Sequence, residues 1–369
     1  MKTKPTIVIL GKLPPPFFGP AIATKIILNS KLSETFNLKH LNTNLNDSMN
    51  TMGERSMLKL WKVLKMYINF IPLLIGVKSK IVWIPIAQER SALLKDAVFI
   101  ILSKLTGKKV VLHLRGSTLL NWYNAESKFY KLVFRYLFRT VDGAIVLGQS
   151  LKYIFEPFLP KEKIFVVPNG ADYTFEEECR DYDQNNFKLL YISNLQRNKG
   201  VHNVISAINL LPSKIRENIS LDVYGAWENT VFENECLQQI KNLNLPVSIN
   251  KPISGKEKLR AMRLAHLFLF PPDAPEGHPW AIVEAMSAGL PIISTDQGAI
   301  IESVKDGFNG YIVPIKSPKI LAERITELYN DRAKAEKMSR SSLKTYNQNF
   351  TENAMVKNLT EVFLSVNNS

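Results

Sequence analysis

Short and nearly uninterrupted apolar runs recur along this chain, and segments with helical periodicity separate them. Parallel strands covered on both faces read as continuous Val, Ile and Leu runs. The runs that we predict as strands are Thr6–Leu10, Ile81–Pro85, Val110–Leu114, Ala144–Leu147, Ile164–Val167, Leu189–Ser193, Leu221–Tyr224, Val247–Ile249, Leu267–Phe270, Pro291–Ser294 and Tyr311–Val313. Their alternation with helical segments is typical of βαβ units and predicts an α/β fold of doubly wound parallel sheets.

A polar, acidic segment interrupts this alternation near the middle of the chain. Residues 171–186 carry little apolar periodicity, and the βα pattern resumes after them. We therefore predict an N-terminal domain over residues 1–170, a linker over 171–186 and a C-terminal domain over 187–345, with a final helical segment over 346–369. A hydrophobic content of 46% in 369 residues is enough to fill two such cores.

The positive charge of the chain is concentrated in its first half. Residues 1–170 contain 25 Lys and Arg against 9 Asp and Glu, whereas residues 171–369 contain 22 against 24. A cationic surface attracts anionic lipid headgroups, polyphosphates or nucleic acid. The counts alone do not choose among these partners.

Several classes of protein are disfavoured. The longest apolar stretch, Tyr67–Val77, contains Asn69 and Pro72 and is shorter than the ~20 residues of a membrane-spanning helix. The N-terminus has no signal-peptide core, and the two cysteines, Cys179 and Cys236, lack the spacing of metal ligands. We therefore expect a cytoplasmic protein without a metal site. Because neither half contains a G-x-G-x-x-G fingerprint, a hydride-transfer enzyme is also disfavoured.

The most informative chemistry lies in the loop and helix start that follow the predicted strand Leu267–Phe270. A proline suits the first turn of a helix, and a glycine lets the backbone approach a ligand closely. The N–H groups of a helix start bind phosphate. A diphosphate is therefore expected to contact Gly277, His278, Pro279, Trp280 and Ala281.

Two glutamates flank this expected anion site. Glu276 lies just before it and Glu284 about one turn inside the helix, where both carboxylates would accept hydrogen bonds from sugar and ribose hydroxyls. By residue type alone, a plainer interpretation is favoured, in which Glu276 caps the helix and Glu284 is solvated.

The surrounding sequence changes that preference. The segment from Glu276 to Val313 resembles the donor-binding region of family 4 retaining glycosyltransferases of the GT-B fold, with Glu276 and Glu284 as the two glutamates that have seven residues between them. Ala285–Asp296 and Asp306–Gly310 are similar to the same family. The resemblance implies two Rossmann-like domains facing a central cleft, with the donor bound by the C-terminal domain and the acceptor by the N-terminal one.

The resemblance also implies a reaction. The sugar of a nucleotide diphosphate sugar, UDP- or GDP-linked, would be transferred with retention of configuration and without a metal ion or other cofactor. Glu276 would hold the sugar hydroxyls and Glu284 the ribose. The resemblance further implies a glycan or lipid-linked acceptor in cell-surface polysaccharide biosynthesis.

A loop in the second half resembles the part of the family's site that neutralises the donor diphosphate with an arginine and a lysine. In the loop Ser193–Gly200, Lys199 matches the lysine, but Asn194 stands at the usual arginine position. Arg197 is a candidate replacement, and a solvated loop arginine is an equally good interpretation of it.

Three segments of the first half resemble the family as well. Pro14–Pro20 is similar to its glycine-rich first loop, which makes Gly19 a candidate for contact with the donor. Leu112–Ser117 resembles its histidine-containing loop, which would place His113 near the transferred sugar, although a lone histidine after a strand is more often structural. Val166–Gly170 resembles the turn that ends the first domain, and the sequence leaves open whether the last helix crosses back onto that domain.

Two basic segments of the first half are rich in aromatic residues. Met57–Lys80 and Lys128–Arg139 interleave lysines and arginines with Trp, Tyr and Phe. Such segments lie in membrane interfaces, or they form amphipathic helices that pack on their own sheet. With the domain charge, we predict peripheral binding to the anionic inner face of the cytoplasmic membrane, and no nucleic-acid partner, since no motif supports one.

Two alternatives to a transferase remain at this point. One is another GT-B-like enzyme, such as a nucleotide-sugar epimerase or a phosphorylase. The other is a non-catalytic, membrane-associated scaffold with an inactive donor site, which the departure at Asn194 keeps open.

Overall fold

The computed structural model of the protein describes residues 4–15, 19–45, 57–75, 79–176, 180–182 and 186–368. The chain divides into two compact units: the first unit comprises Met1–Ala171 and Glu352–Ser369, and the second unit comprises Asp172–Thr351. Each unit is built on a parallel sheet with helices. The predicted α/β class with two doubly wound parallel sheets is therefore confirmed.

The sheet of the first unit contains six strands in the described part of the chain. They are β1 (Thr6–Gly11), β2 (Asn37–Asn42), β3 (Ser79–Ile86), β4 (Lys109–Leu114), β5 (Gly143–Val146) and β6 (Ile164–Val166). Their order is β2-β1-β3-β4-β5-β6, and all neighbours are parallel. The sequence analysis missed β2 because this edge strand reads N-L-K-H-L-N and lacks an apolar run.

Helices pack around this sheet. They are α1 (Gly19–Asn29), α2 (Leu32–Thr35), α3 (Met57–Ile75), α4 (Arg90–Leu105), α5 (Leu119–Ala125) and α6 (Lys128–Arg139). Short 3₁₀ turns cover Gln149–Ile154 and Lys161–Lys163. Of the helices that the structure describes, none combines the length and the apolar character needed to cross a bilayer.

The second unit has an equivalent sheet. Its described strands are β7 (Phe187–Ile192), β8 (Ile219–Tyr224), β9 (Val247–Asn250), β10 (Leu267–Phe270), β11 (Ile292–Ser294) and β12 (Gly310–Ile312). Its helices are α7 (Val201–Leu210), α8 (Ser213–Arg216), α9 (Thr230–Asn242), α10 (Gly255–Leu264), α11 (Trp280–Ser287), α12 (Ile300–Ser303), α13 (Pro318–Asn330) and α14 (Arg332–Asn349). The predicted strands of both halves agree with the observed ones within two residues at each end.

The strand order of the second sheet determines where a ligand can bind. The order is β12-β11-β10-β7-β8-β9, so the chain moves outward from β7 in one direction and then from β10 in the other. The strand order therefore reverses between β7 and β10, at whose carboxyl ends the loops after these two strands lie side by side. Ligands of doubly wound sheets bind at such a point.

The last helix of the chain, α15 (Glu352–Asn368), belongs to the first unit. Its buried residues recur at helical spacing and join the core that includes β1, β3 and β4; they are Met355, Val356, Leu359, Val362, Phe363 and Val366. The ring of Phe363 contacts that of Phe36 edge-on, at 5.9 Å between centroids. The amphipathic pattern of α15 thus completes a core that the first 171 residues leave open.

The predicted interdomain linker, residues 171–186, begins at the boundary between the two units. Beyond Ala171 it belongs to the second unit, where Tyr173, Phe175 and Tyr182 pack against the hydrophobic core. Arg180 donates hydrogen bonds to backbone carbonyl groups, including Ala288 O at 2.7 Å. The polar composition of this segment gave no sign of these contacts, because a single arginine such as Arg180 can donate to several carbonyl groups at the ends of distant helices. Cys179 lies outside the described residues.

The packing of α15 gives a stability prediction. Phe363 is 1% exposed, so Phe363→Ala should lower the free energy of unfolding of the first unit by about 3–5 kcal/mol through the cavity left behind. Leu364→Ala is the matched control, because the side chain of Leu364, next to Phe363 in the chain, is 39% exposed. Urea unfolding of both variants tests this, and equal losses of stability would contradict the observed docking of α15.

Candidate functional site

Two loops meet where the strand order of the second sheet reverses. Gly200, at the end of the loop after β7, has φ +82°, and a Cβ at this position would lie 1.9 Å from Pro271 O in the loop after β10. The backbone N–H of Asp273 donates to Asn198 O at 2.9 Å. Only glycine fits at position 200, and the resulting contact holds the two loops against each other.

Lys199 and Glu276 form an ion pair across this junction. Their side chains are 22% and 14% exposed, so both are sheltered but reachable from solvent. Two contacts fix the backbone on either side: Tyr191 Oη donates to Lys199 O at 2.9 Å, and a Cβ on Gly298 would lie 1.6 Å from Glu276 O. The structure therefore brings together two residues that the sequence separates by 77 positions.

Asp273 anchors the same loop, although the sequence analysis did not select it. Its Oδ1 accepts hydrogen bonds from Asn203 Nδ2 at 2.8 Å and from the Lys316 backbone N–H at 3.2 Å. Its Oδ2 lies 3.5 Å from His202 Nε2. An aspartate after a strand has many possible roles, and only its partners from distant elements identify it as a support for the loop.

The helix α11 begins directly after this loop. Pro279 is its N-cap and has no side-chain cap hydrogen bond. The first turn is partly exposed at Pro279, Trp280 and Ala281, whereas Gly277 is buried and its carbonyl group accepts from Ala299 N–H at 3.0 Å. A first turn of this kind presents backbone donors and the positive end of the helix dipole to an anion.

The side chain of His278 points into the protein. It is 4% exposed, its Nε2 lies 2.6 Å from Ser303 Oγ, and its ring packs against Phe350 at 5.1 Å. Burial lowers the pKa of His278 to about 4, so the imidazole is neutral at physiological pH. Of the expected donor contacts, His278 can therefore supply its backbone but not its ring.

Glu284 is not the solvated helix residue of the plainer interpretation. It is 7% exposed, and its Oε1 lies 2.5 Å from the Nζ of Lys258 on α10. Burial raises the pKa of Glu284, and the charge of Lys258 opposes that rise. The sequence analysis missed Lys258, because a lysine in the charged segment G-K-E-K-L-R is typical of a solvated helix face.

Arg197 does not take part in the Lys199–Glu276 ion pair. Its guanidinium forms an ion pair with Glu235 on α9 and lies 4.5 Å from the centre of the Phe232 ring. Both charged side chains are 53% exposed. The loop after β7 thus directs its lysine to Glu276 and its arginine to α9.

The remaining candidates lie in the first unit. Gly19 is the first residue of α1, and residues 16–18 of the glycine-rich loop lie outside the described residues. His113 lies within β4, in the predicted strand Val110–Leu114; β4 ends at Leu114, and Arg115 opens the loop that follows. His113 is 2% exposed, and burial, together with Arg115, lowers its pKa well below the usual value.

The described residues offer no cluster of three or more His, Cys, Asp or Glu side chains able to hold a metal ion.

Comparison with known proteins gives the following matches. Residues 175–345 match the family of glycosyl transferases group 1. The capsular polysaccharide biosynthesis glycosyltransferase CapM of Staphylococcus aureus is 27% identical over 237 residues, 59% of this chain and 60% of that protein. The lipopolysaccharide 1,2-N-acetylglucosaminetransferase of Salmonella typhimurium is 26% identical over 231 residues, 56% and 60%. The chain thus spans less than two thirds of the length of either relative.

A solved structure covers more of the chain. Anabaena Alr3699/HepE, determined in complex with UDP, aligns with a TM-score of 0.72 and 20% identity over 98% of this chain and 100% of that chain. At this identity the similarity concerns the fold. It confirms the GT-B architecture that the sequence predicted.

The burial of His278 predicts a pH dependence of stability. Below pH 6.5 the histidine of the unfolded chain takes up a proton, whereas folded His278 remains neutral until about pH 4. Its contribution is therefore present above pH 6.5 and is lost as the pH falls towards 4, by about 3 kcal/mol. Urea unfolding between pH 7 and 4 measures it, and His278→Gln, which keeps a polar group near Ser303, should flatten the profile. Identical slopes for both proteins would contradict this assignment.

Proposed function

We propose, from the membership of residues 175–345 in the glycosyl transferases group 1 family, that this protein is a glycosyltransferase that moves a sugar from a nucleotide diphosphate sugar to an acceptor. The observation that carries the proposal is the Lys199–Glu276 pair at the point where the strand order reverses, beside the uncapped first turn of α11. Such a site combines donors for a diphosphate with an acceptor for sugar hydroxyls.

The second unit would bind the donor. The first turn of α11, at Trp280 and Ala281, binds the donor diphosphate through its backbone N–H groups. Lys199 neutralises negative charge on the same diphosphate. When Lys199 turns to the phosphate, Glu276 is released to accept hydrogen bonds from the sugar. Glu284, held by Lys258, is assigned to the ribose. Because Arg197 is engaged with Glu235, the loop after β7 contributes its positive charge through Lys199.

Transfer requires the nucleoside diphosphate to leave with its negative charge stabilised. Lys199 and the dipole of α11 are fixed in a sheltered environment and supply that stabilisation as the bond breaks, in the place that a metal ion takes in other enzymes. We propose retention of configuration, as the resemblance to family 4 implies, with His113 close to the transferred sugar. UDP- and GDP-sugars are the donors to test.

The acceptor is proposed to be a lipid-linked glycan in cell-surface polysaccharide biosynthesis. Two relatives support this class: CapM is named for capsular polysaccharide biosynthesis, and the Salmonella enzyme is a lipopolysaccharide N-acetylglucosaminetransferase. A lipid-linked acceptor requires the enzyme to reach a membrane surface.

The surface of α3 supports binding to such a membrane. Its inner face is buried through Met66, Phe70 and Leu74. Its outer face is apolar and exposed at helical spacing, through Met57, Leu60, Trp61, Leu64, Ile68, Ile71 and Ile75. The helix therefore packs on its own unit and also presents a second apolar stripe, next to the exposed Lys62 and Lys65. An interfacial helix with these properties binds anionic lipid.

The helix α6 has the same character. Phe134, Leu137 and Phe138 are buried, while Phe129 and Tyr136 are 69% and 74% exposed. We propose that the outer faces of α3 and α6 contact the anionic cytoplasmic leaflet, since the first 170 residues carry a large excess of positive charge.

The donor site predicts the effect of two substitutions. Glu276→Gln and Lys199→Ala should each lower acceptor-dependent release of nucleoside diphosphate by about a hundredfold or more: the first weakens the acceptor that positions the sugar, and the second removes the charge that stabilises the leaving diphosphate. The assay uses a panel of UDP- and GDP-sugars with membrane extract. Lys256→Ala, an exposed lysine at the start of α10, is the matched control and should retain wild-type release.

The same assay separates the alternatives. Near-normal turnover of either variant would reject the roles of Glu276 and Lys199. A donor sugar altered without transfer would indicate an epimerase, and the absence of both reactions would indicate a scaffold.

The membrane surface gives a separate prediction. Replacing Leu60, Trp61, Leu64 and Ile68 by serine should weaken binding to vesicles containing anionic lipid by about tenfold or more, because the inserted apolar area is lost. Leu210→Ser with Val231→Ser, two exposed apolar residues of the second unit, is the control. Flotation with neutral and anionic vesicles measures both. Equal partitioning of wild type into the two kinds of vesicle would refute the proposal.

A further inference from the structure

Buried polar atoms without hydrogen-bond partners are concentrated near the carboxyl ends of β3 and β4. Within the described part of the chain, six of the twelve such atoms lie here: Trp83 Nε1, His113 Nδ1 and Nε2, Arg115 Nε and Nη2, and Ser117 Oγ. Buried polar groups in folded proteins are nearly always paired. Such a concentration in one place therefore indicates a partner that the chain itself does not provide.

Arg115 is the centre of this group. Its Nη1 donates to Asn169 Oδ1 at 3.1 Å, and its guanidinium carbon lies 5.6 Å from the centre of the Trp83 ring. Among the described residues Arg115 forms no salt bridge, although its Nε and Nη2 are covered. Burial lowers its pKa to about 9, which leaves the guanidinium charged at neutral pH. A covered cation without a counter-charge is costly, and an anionic ligand would compensate it.

The chemistry of the neighbours also favours an anion. The indole nitrogen of Trp83 and the guanidinium of Arg115 are donors only, and the Ser117 hydroxyl can donate. The ring of His113 lies 5.4 Å from that of Trp83 and carries one N–H in its neutral form. The group is thus rich in donors and contains no carboxylate among these residues, which suits an oxyanion with several acceptor oxygens.

The loop that carries Arg115 and Ser117 is held in place from the neighbouring strand. Gln88, just after β3, accepts through Oε1 from Thr118 N at 2.7 Å and from Thr118 Oγ1 at 3.1 Å. The strands β3 and β4 are neighbours, next to the point at which the order of the first sheet reverses between β1 and β3. The carboxyl ends of strands at such a point are where ligands of parallel sheets bind.

We propose that Arg115, with Trp83 and Ser117, binds an oxyanion of the acceptor substrate, a phosphate or a carboxylate. The inference rests on the proposed transferase function and specifies the acceptor class: a glycan that carries a negative charge close to the hydroxyl that receives the sugar. A phosphate would come from a lipid-linked carrier, and a carboxylate from an acidic sugar. Arg115 holds this group through a two-pronged contact and so fixes the register of the acceptor.

Binding of simple anions tests the proposal. The protein used is full-length Lys199→Ala, which removes the phosphate-binding lysine of the donor site. Inorganic phosphate and glucuronate are titrated while the melting temperature is followed. We expect one of them to stabilise the protein in a saturable way, and Arg115→Gln in the same background to weaken that binding by about tenfold or more. Stabilisation by phosphate indicates the carrier, and stabilisation by glucuronate indicates an acidic sugar.

A purely structural role for Arg115 predicts that Arg115→Gln lowers the melting temperature even without added anion. The proposed anion site predicts the opposite. Without added anion, Arg115→Gln should melt at the same or a higher temperature, because a covered and uncompensated charge is removed. Arg115→Lys keeps the positive charge but cannot donate two parallel hydrogen bonds as a guanidinium does. This variant should fold and bind the anion more weakly. The proposal is overturned if neither anion stabilises the protein, or if the anion response is the same with and without Arg115.

Calorimetry with nucleoside diphosphates separates this inference from the proposed function. Arg115→Gln in the otherwise unchanged chain should bind the nucleotide as the wild type does. If the wild type binds none, the transferase proposal fails, whereas the anion titration still decides the role of Arg115.

Discussion

The ion pair between Lys199 and Glu276 depends on a single feature of chain topology and in turn organises the candidate site. The two residues lie in loops that follow neighbouring strands of a parallel sheet, at the place where the strand order reverses. Their loops touch because Gly200 has no side chain to separate them. In the absence of ligand the two charges compensate each other, so the protein keeps a sheltered cation and anion without leaving either unpaired.

The candidate sites of the two units differ in how their sheltered positive charges are compensated. In the candidate site of the second unit, two sheltered cations are paired with carboxylates: Lys199 with Glu276, and Lys258 with Glu284. In the first unit Arg115 contacts neutral groups, Asn169 and the Trp83 ring, and among the described residues it has no salt-bridge partner. A ligand of the second unit must replace an existing pair, which favours a molecule bearing both phosphate and hydroxyl groups. A ligand of the first unit needs only to bring negative charge.

The two halves of the chain also differ in surface charge and exposed apolar area. The first half of the chain carries the excess of positive charge and the exposed apolar faces of α3 and α6. Its core is completed by α15, the last helix of the chain, whose residues fill the space beside β3 and β4. The C-terminal residues thus support the sheet that carries Arg115, and loss of their packing would affect a loop more than two hundred residues earlier in the chain.

The sequence by itself determined the α/β class with two parallel sheets and most of their strands, and it selected Glu276 and Glu284 as candidates for the donor site. These follow from local patterns: continuous apolar runs, a proline and glycine at a helix start, and a motif within a few residues. It did not determine β2, the docking of residues 172–176 on the second unit, or the pairing of Glu284 with Lys258. It also gave no role to Arg115. Only the tertiary structure decided these features, because burial and pairing arise from residues that are distant in the chain and meet only on folding.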